Sequence, residues 1–449
     1  MFVLDKGGRP LMPCHPARAR ELLSKGRAVV TRQSPFVIRL KDRTRDESSV
    51  QDLQIRIDPG SRATGIALTV ENREDTKTAE PITVRRGLMA FELRHRGSQI
   101  SARLKQRADY RRRRRNKNCR YRAPRYANRA RPNGWLPPSL VHRANTTVSL
   151  VSRLIRWCPV SEIHVERAAF DVHALSAGQP LHGAEYQHGT LHGVEIRAYL
   201  LSKWDYSCAY CSARDVPLNI DHVHPRAHGG SDRISNLLIA CVPCNQAKGD
   251  QRIDDFLSGR PALLVRIRRQ LKTPLRDAAA MNATRNRLMT DLSLTGLPVL
   301  GWSGARTKWN RGALDLPKSH TFDALCVGVI NHEAGHSVVR HPFQIMTVTA
   351  TGRGTYARTR PDRFGFPRLR LPRAKLQHGF QTGDFVRATL RSGRYEGTHT
   401  GRVAVRASGR FNIKKGDALV QGVHHRHIQL LQRADGYAYA IAGETRSRP

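Results

Sequence analysis

The sequence predicts a multidomain α/β protein, and three observations lead to that prediction. Short apolar strands alternate with amphipathic helical segments over most of the chain, and two of these strands end on a carboxylate. A compact module with four cysteines interrupts the alternation, and the carboxyl-terminal quarter is rich in glycine and in short β-like runs. A chain of 449 residues is long enough for two or three domains with separate cores.

The charge of the chain predicts a polyanionic partner. It carries 77 Lys and Arg residues against 36 Asp and Glu residues, a net charge of +41 that strains a compact fold by self-repulsion. Nucleic acid is the expected partner. A membrane surface is the competing polyanion, but we find no apolar run of about 18 residues, and Met1–Asp5 lacks a signal-peptide pattern. We therefore expect neither secretion nor a membrane partner.

Residues 1–52 are expected to form a small α/β module, because short apolar runs there are broken by Gly and Pro. The expected helix is Ala17–Lys25, and the expected strands are Ala28–Val30 and Phe36–Ile38.

Two further strands are predicted to end on an acidic residue. Apolar residues alternate from Leu53 up to Asp58, the chain then turns at Pro59-Gly60-Ser61, and a second apolar run completes a β-hairpin. After an amphipathic helix at 146–157, the strand 162–165 leads directly into Glu166. A single acid at a strand end is usually a turn residue, so each of these carboxylates is weak evidence by itself.

An arginine-rich segment follows the hairpin. Between Arg94 and Arg131 there are 16 Lys or Arg residues and one acid in 38 residues, and no protein core could absorb them. The first half contains no Pro and only one Gly, so we predict an extended helix with charge on every side. A solvated face is the alternative, but Arg-dominated charge of one sign suits phosphate contacts. The candidate nucleic-acid-binding residues are Arg103, Arg107, Arg111, Arg112, Arg113, Arg114 and Arg115.

The remaining segments alternate between connectors, helices and strands. Residues 173–193 are rich in Gly and His and predict a connector, whereas 261–269 and 278–289 have helical periodicity. The apolar segment 320–331 also predicts a helix. From residue 336 the chain becomes β-rich, with 21 Lys and Arg residues against 6 acids, which favours a separate, small, barrel-like domain.

The four grouped cysteines predict a structural zinc site. Cys208 and Cys211 form one Cys-x-x-Cys pair, and Cys241 and Cys244 form a second, which is the arrangement that a tetrahedral four-thiolate zinc site requires. The other four cysteines are isolated, so the chain has no disulfide framework and belongs in a reducing intracellular compartment. A redox-active pair is the alternative interpretation.

Residues within this cysteine frame resemble the HNH endonuclease motif, a ββα hairpin that holds one hydrolytic metal beside a histidine base. The resemblance implies that Asp221 and Asn245 bind magnesium, that His222 is the general base, and that Asn236 holds the loop that orients this base. A purely structural zinc knuckle that binds nucleic acid is the alternative. The matching residues are Asp221-His222, Pro225-Arg226, Gly229-Gly230, Asn236-Leu237 and Cys244–Gly249.

Four acidic and histidine residues resemble, in chain order, the split RuvC nuclease of RNase H-like fold. The two strand-end acids are followed by His320 and Asp323, which lie one turn apart on one helix face. Gathered acids repel, and two divalent cations are the usual reason to gather them. The resemblance implies that Asp58, Glu166 and Asp323 hold a magnesium pair and that His320 assists activation of water or of the leaving group.

The order of these motifs resembles the IscB family, compact transposon-encoded RNA-guided nucleases related to the type II CRISPR effector. The run Pro10-Leu11-Met12-Pro13 matches the signature of that family's amino-terminal module, and Gly352-Arg353-Gly354 and Tyr356 extend the match. The resemblance implies an RNase H-like RuvC domain split by an inserted ββα-metal HNH module. The expected domains are an amino-terminal PLMP domain (1–52), RuvC parts (53–93, 132–195 and 256–335), a bridge-helix region (94–131), the HNH domain (196–255) and a basic β-rich domain (336–449).

The resemblance implies an RNA-guided DNA endonuclease that cuts both strands of its target. It further implies a long structured guide RNA, a double-stranded DNA target with an adjacent motif, a monomeric ribonucleoprotein, and a cytoplasmic, nucleoid-associated location in a prokaryote. The chain lacks a large helical lobe, so the RNA itself would have to scaffold a guide–target duplex of about 20 base pairs. A guide-independent HNH endonuclease or nickase and a non-catalytic Arg-rich RNA-binding protein remain the alternatives.

Overall fold

A computed structural model describes most of the chain. The described residues are 1–74, 82–117, 119, 135–167, 197, 200–201, 203–214, 216–230, 234–272, 276–330, 337–340, 344–352, 361–369 and 374–443. The predicted connector at 173–193, the second half of the Arg-rich region at 120–131 and the matched residues 353–356 lie outside them. Two compact units are present: unit one is Met1–Val165, Arg287–Gly301 and Thr307–Pro449, and unit two is Glu166–Asn286 and Trp302–Arg306.

The regular elements of the described chain are as follows. The strands are β1 Phe2–Leu4, β2 Pro10–Leu11, β3 Ala28–Arg32, β4 Val37–Leu40, β5 Leu53–Asp58, β6 Ala63–Glu74, β7 Ile82–Arg94, β8 Val160–Glu166, β9 Leu218–His222, β10 Leu237–Cys241, β11 Val299–Trp302, β12 Ser337–Arg340, β13 Gln344–Ala350, β14 Leu376–Gln377, β15 Phe380–Gln381, β16 Phe385–Leu390, β17 Gly397–Ala404, β18 Arg410–Lys415, β19 Ala418–His424, β20 Ile428–Gln432 and β21 Tyr437–Gly443. The helices are α1 Pro16–Ser24, α2 Gly97–Asn116, α3 Pro138–Trp157, α4 Val242–Lys248, α5 Ile253–Phe256, α6 Pro261–Lys272, α7 Arg276–Ser293, α8 Gly304–Ala313 and α9 His320–Leu325.

The amino-terminal module is a four-stranded sheet in the order β2-β1-β4-β3, with α1 beside it. Helix α1 begins where the His15 side chain accepts a hydrogen bond from the Ala17 N–H and Pro16 occupies the first turn, both ordinary helix-start signals. Its Ala19 and Leu22 are buried in a core with Val3 and Ile38. The helix and the two strands predicted from the sequence are confirmed here.

A mixed sheet forms the main body of unit one, in the order β11-β8-β5-β6-β7-β13-β21, and β12 also pairs with β7. All six residues of β5 are buried, so both faces of this strand are covered. Strand β6 runs antiparallel to β5 and continues the predicted hairpin, whereas β8 pairs with β5 in parallel. Helix α3 packs Leu150, Val151 and Leu154 into the same core.

The described part of the region from residue 336 contributes to three sheets. Strands β12, β13 and β21 extend the main sheet. Strands β14 and β15 pair with each other. Strands β16–β20 form the separate β structure that the sequence predicts, an antiparallel sheet in the order β19-β18-β17-β16-β20 with its own core around Phe411 and Ile413. The composition of the segment predicts strands but says nothing of their partners.

Helix α9 is shorter than the predicted 320–331. It ends at Leu325, and the backbone turns away at Gly328, whose φ is +106°. Most of the apolar residues after Leu325 are buried, which explains why their sequence pattern resembles that of a helix: Cys326 and Val327 are fully enclosed although they are not helical.

Unit two contains the cysteine module. Strands β9 and β10 pair antiparallel, with Asp221 opposite Leu238 and His222 opposite Leu237, and α4 follows β10 directly. A separate core of this unit includes Trp204, Tyr210 and Ile267. No helix in the described part of the chain is both long and apolar enough to cross a membrane.

Candidate active sites

The ββα arrangement places the predicted HNH residues in one small module. Asp221 and His222 are the last two residues of β9, and Asn245 lies in α4. Cys241 both ends β10 and precedes the first turn of α4, with Pro243 in that turn. Asp221 is buried, whereas His222 and Asn245 are partly exposed, so solvent reaches the side chains predicted to act on a substrate.

The four cysteines of this module converge. The sulfur atoms of Cys208, Cys211, Cys241 and Cys244 all lie within 4.8 Å of one another, and among the described residues they are the one group of His, Cys, Asp and Glu side chains that converges in this way. Backbone hydrogen bonds from the Ser212 N–H to the Cys208 carbonyl and from the Ala209 N–H to the Ile239 carbonyl fix the first pair against β10. Four thiols around one point fit a tetrahedral zinc ion.

The thiols of this cluster do not titrate alike. Burial favours the neutral form of Cys208, but hydrogen bonds from the backbone of Cys241, Cys211 and Tyr210 outweigh it and lower the pKa of Cys208 to about 7. Burial and the neighbouring thiols raise the pKa of Cys244. Four thiolates at this spacing repel each other, so a cation is what would let all of them ionise together.

Both carboxylate oxygens of Asp221 accept hydrogen bonds. The Tyr210 hydroxyl donates to Oδ2 at 2.6 Å, and the Lys248 Nζ donates to Oδ1 at 3.1 Å. Lys248 is fully buried and also donates to the His222 carbonyl at 2.7 Å. Burial and the charge of Asp221 raise the pKa of Tyr210, so this phenol remains a donor. Neither donor was predicted from the sequence.

Asn236 clamps the loop that follows His222. Its Oδ1 accepts from the His224 N–H at 2.8 Å, its Nδ2 donates to the His224 carbonyl at 3.0 Å, and its own carbonyl accepts from the Val223 N–H at 2.8 Å. Gly230 closes the loop tightly, because a Cβ there would lie 1.8 Å from the His224 carbonyl oxygen. These contacts fix the backbone on the carboxyl-terminal side of His222.

Three of the predicted RuvC residues meet in unit one. The His320 Nδ1 lies 2.6 Å from the Asp58 Oδ2, and this hydrogen bond raises the pKa of His320. Burial raises the pKa of Asp323, and the nearby charge of Asp58 adds to that effect. The Arg311 Nε donates to the Asp323 Oδ1 at 2.7 Å, and this ion pair opposes the rise in the pKa of Asp323. The site therefore combines two carboxylates, an imidazole and a guanidinium.

Local sequence explains how α9 reaches the hairpin. The Ser319 hydroxyl accepts from the Phe322 N–H and starts the helix. Two glycines leave room for its first residue: a Cβ on Gly65 would lie 1.7 Å from the His320 carbonyl oxygen, and one on Gly60 would lie 2.3 Å from the His320 Cε1. These glycines permit the close approach that joins His320 to Asp58.

Glu166 belongs to unit two, and its carboxylate accepts a hydrogen bond from the Arg285 Nη2 at 3.3 Å. The parallel register of β5 and β8 pairs Ile57 with Val165, the residues that immediately precede the two acids in the sequence. Asp58, His320 and Asp323 therefore lie together in unit one, whereas Glu166 belongs to unit two.

Two buried arginines hold the carboxyl-terminal end of α9 and the residues that follow it, and neither arginine was predicted from the sequence. Arg56 donates to the Val327 carbonyl at 2.6 Å, and Arg85 donates to the carbonyls of Leu325 at 3.0 Å and of Val329 at 2.7 Å. Glu71 pairs with both guanidiniums. Burial, together with the charge of Arg85, lowers the pKa of Arg56 to about 9. One signal was available: Arg56 interrupts a strand that is otherwise largely apolar.

Replacing Arg56 with methionine should destabilise unit one by about 1–3 kcal/mol, because Glu71 and the Val327 carbonyl each lose one of their two buried arginine donors. Denaturant unfolding of the full chain measures the loss. Arg86→Met is the matched control, since Arg86 follows the buried Arg85 on β7 but is exposed, and we expect a change within about 0.5 kcal/mol. Equal stabilities of the two variants would contradict the role assigned to Arg56.

Helix α2 carries the Arg-rich sequence, and none of its residues is buried. Its second half contacts Gly365 and Phe366. The Arg114 Nη1 donates to the Gly365 carbonyl at 2.7 Å, and its guanidinium lies 4.7 Å from the Phe366 ring centroid. A Cβ on Gly365, whose φ is +83°, would lie 2.5 Å from the Tyr110 ring. Arg114 thus anchors the helix, whereas Arg103, Arg107 and Arg111–Arg113 are exposed and Arg115 is half-buried.

Comparison with known proteins agrees with the cysteine module. The family model described as HNH endonuclease matches residues 208–251, and the model described as RRXRR protein matches residues 1–189. No curated protein matches the chain. Residues 208–251 therefore match an HNH endonuclease domain, which supports a nuclease, and the match coincides with the ββα fold and the cysteine cluster. The amino-terminal RRXRR match includes the hairpin that carries Asp58.

Solved structures of Cas9 enzymes are also similar to parts of the chain. The type II-C Cas9 from Actinomyces naeslundii is 15% identical over 41% of this chain and 26% of its own, with a TM-score of 0.16. Streptococcus thermophilus Cas9 in complex with the GGAA PAM is 12% identical over 59% of this chain and 32% of its own, with a TM-score of 0.23. The same enzyme in complex with the AGAA PAM is 12% identical over 60% of this chain and 32% of its own, with a TM-score of 0.23. The chain thus spans 26–32% of the length of these structures.

Proposed function

We propose that this protein is an RNA-guided DNA endonuclease of the IscB kind, in which an HNH site cuts the guide-paired strand and a RuvC site cuts the displaced strand. One observation carries the proposal. An HNH module in unit two is joined, in a chain of net charge +41, to an Asp58–His320–Asp323 cluster in unit one. Two separate sets of acid and imidazole groups suit an enzyme that must cut two strands.

In the HNH site, Asp221 and Asn245 would hold one magnesium ion and His222 would be the general base. The donor set fits, because carboxylate and amide oxygens are the ligands that magnesium prefers. Bound magnesium would offset charge on the scissile phosphate and on the leaving oxygen. The hydrogen bonds between Asn236 and His224 support its role in orienting the base, since His222 lies two residues before His224, at the end of β9. The cysteine cluster would hold zinc and take no part in the chemistry.

In the RuvC site, Asp58, Glu166 and Asp323 would hold a magnesium pair, and His320 would help to activate water or the leaving group. The short hydrogen bond between His320 and Asp58 supports the assignment, because it fixes an imidazole against one of the acids. Arg311 occupies one oxygen of Asp323, and a carboxylate oxygen that accepts one hydrogen bond retains a lone pair for a cation.

Guide RNA would be held by the exposed face of α2 and by the basic β-rich region, and the target-adjacent motif would be read by the latter. The five exposed arginines of α2 and the single-sign charge support this division of work. We further propose that the particle is a monomeric ribonucleoprotein in the prokaryotic cytoplasm, with the RNase H-like core split around α2 and the HNH module.

Co-purified nucleic acid tests the proposal. A protein purified at high salt with one discrete, long RNA would support guided cleavage. Heterogeneous RNA or none, with cleavage retained, would replace it with a guide-independent HNH endonuclease or nickase. RNA binding without metal-dependent cleavage would indicate a non-catalytic RNA-binding protein. Sequencing the retained RNA separates these outcomes and defines the ends of the guide.

Replacing Arg111, Arg112 and Arg113 with glutamine should weaken RNA binding and flatten its salt dependence. Each lost phosphate contact removes about 0.7–0.9 from the slope of log affinity against log salt concentration. A filter-binding series from low to high salt measures the slope. Changing the exposed Arg260, Arg268 and Arg269 of unit two removes the same charge and is the control. An equal loss of slope in both triple variants would mean that only net charge matters.

A further inference from the structure

The two cysteine pairs each bring one hydrogen-bond donor to Asp221. Tyr210 lies between Cys208 and Cys211, and its hydroxyl reaches Oδ2 at 2.6 Å. Lys248 lies four residues after Cys244, and its ammonium group reaches Oδ1 at 3.1 Å. The carboxylate is therefore held from two sides by residues whose backbone positions depend on the cysteine cluster.

The donors themselves are fixed. The Tyr210 side chain packs edge-on against Phe256, with ring centroids 5.2 Å apart and an angle of 79° between the planes. The residue is 4% exposed. Lys248 is fully enclosed, and its second bond, to the His222 carbonyl, fixes its position further. Rotation of the Asp221 carboxylate would break a bond to a buried partner on either side, which is costly.

We propose that Tyr210 is a positioning residue that links the zinc cluster to the catalytic metal of the HNH site. The inference rests on the proposed function, in which Asp221 binds that metal. A ligating carboxylate keeps lone pairs for a cation while it accepts a hydrogen bond, and the outer partner then sets its orientation. Zinc binding thereby defines the position of the phenol, and the phenol defines the position of Asp221.

A conservative replacement of Tyr210 distinguishes its positioning role from a role in folding. Tyr210→Phe keeps the ring against Phe256 and removes only the hydroxyl, so the core contact survives. Loss of an outer partner of a metal ligand costs about 10- to 100-fold in metal affinity. We expect a decrease of that size in the affinity for the catalytic metal, with zinc content and melting temperature close to those of the parent protein.

The experiment uses the full ribonucleoprotein with Asp58→Ala as background, which removes an acid of the RuvC site and leaves the HNH site to report. Titration with Mn²⁺, followed by the signal of the free ion, measures the affinity directly. The Mg²⁺ concentration for half-maximal cleavage of the guide-paired strand should rise by the same factor, and the rate at saturating Mg²⁺ should recover. Tyr206→Phe is the control, because it removes a hydroxyl from an exposed tyrosine of the same module.

The outcomes distinguish a failure of the role inferred for Tyr210 from a failure of the metal role proposed for Asp221. Unchanged Mn²⁺ affinity in Tyr210→Phe, with a clear loss in Asp221→Ala, would overturn the inference and leave the proposed function intact. Unchanged affinity in Asp221→Ala would overturn the metal role of Asp221 itself. Loss of zinc in Tyr210→Phe would also overturn the inference, because the hydroxyl would then serve the fold of the knuckle. A shifted Mn²⁺ affinity with intact zinc supports it.

Discussion

Replacing Cys241 with serine should unfold the HNH module and abolish cleavage of the guide-paired strand. Structural zinc contributes about 10–16 kcal/mol of binding free energy to small domains at neutral pH, which exceeds the usual stability of a domain. Serine is a good residue to precede a helix, so the start of α4 should not itself be impaired. Zinc content, hydrogen exchange of β9 and β10, and strand-specific cleavage measure the result.

Cleavage of the displaced strand should survive in the same variant, because Asp58, His320 and Asp323 lie in unit one, which has its own core, and Glu166 ends strand β8 of the main sheet. Cys119→Ser is the matched control. Cys119 is exposed and lies outside the cysteine cluster, so this variant should keep about one zinc per chain and cut both strands. A Cys241→Ser protein that retains about one zinc, with its module protected from exchange, would contradict a four-thiolate site.

The cysteine cluster could be predicted because the short spacing within each cysteine pair indicates the metal ligands directly. Two Cys-x-x-Cys pairs fix the ligand type and geometry wherever the chain between them runs. Tyr210 and Lys248 could not be found in this way. A tyrosine between two cysteines has the pattern of a core aromatic, and a lysine in the last turn of a helix is normally solvated and pairs with the helix carbonyls. Only the tertiary contact with Asp221 distinguishes them.

The same limit explains the errors around α9. The buried apolar residues Cys326, Val327 and Ile330 have a pattern that is consistent with a helix. The helix ends early because the backbone turns at Gly328, where Arg56 and Arg85 donate hydrogen bonds to the carbonyls of Val327 and Val329. These arginines come from β5 and β7, more than 230 residues earlier in the sequence. The local sequence pattern predicted that His320 and Asp323 share a helical turn. It could not predict the arginine contacts at the carboxyl-terminal end of this helix.

Some strand pairings could also be predicted from the sequence, whereas others could not. The hairpin of β5 and β6 was predictable because Pro59-Gly60 joins adjacent apolar runs. Pairing of β13 with β7 and β21 joins segments that are distant in the chain, and residues 344–350 carry no mark that separates them from the strands of the neighbouring five-stranded sheet. Composition therefore predicts a β-rich region but not its division among separate sheets.

Single replacements in the two proposed active sites should convert double-strand cleavage into nicking of opposite strands. His222→Ala removes the proposed base and leaves Asp221 and Asn245 to hold metal, and loss of a general base costs about 10²- to 10⁴-fold in rate. Asp58→Ala removes one acid of the proposed magnesium pair and the partner of His320. A guide-matched supercoiled plasmid should then be nicked and not linearised by either variant.

Strand-specific end labels complete the test. His222→Ala should spare the guide-paired strand, Asp58→Ala should spare the displaced strand, and the double variant should bind the target without cutting, because each strand meets a different site in an opened duplex. His228→Ala and Asp52→Ala are matched controls, since both residues are exposed neighbours of the proposed catalytic positions and their variants should still linearise the plasmid. Two nicks on the same strand, or linearisation at the parent rate by either single variant, would show that the two sites do not act independently.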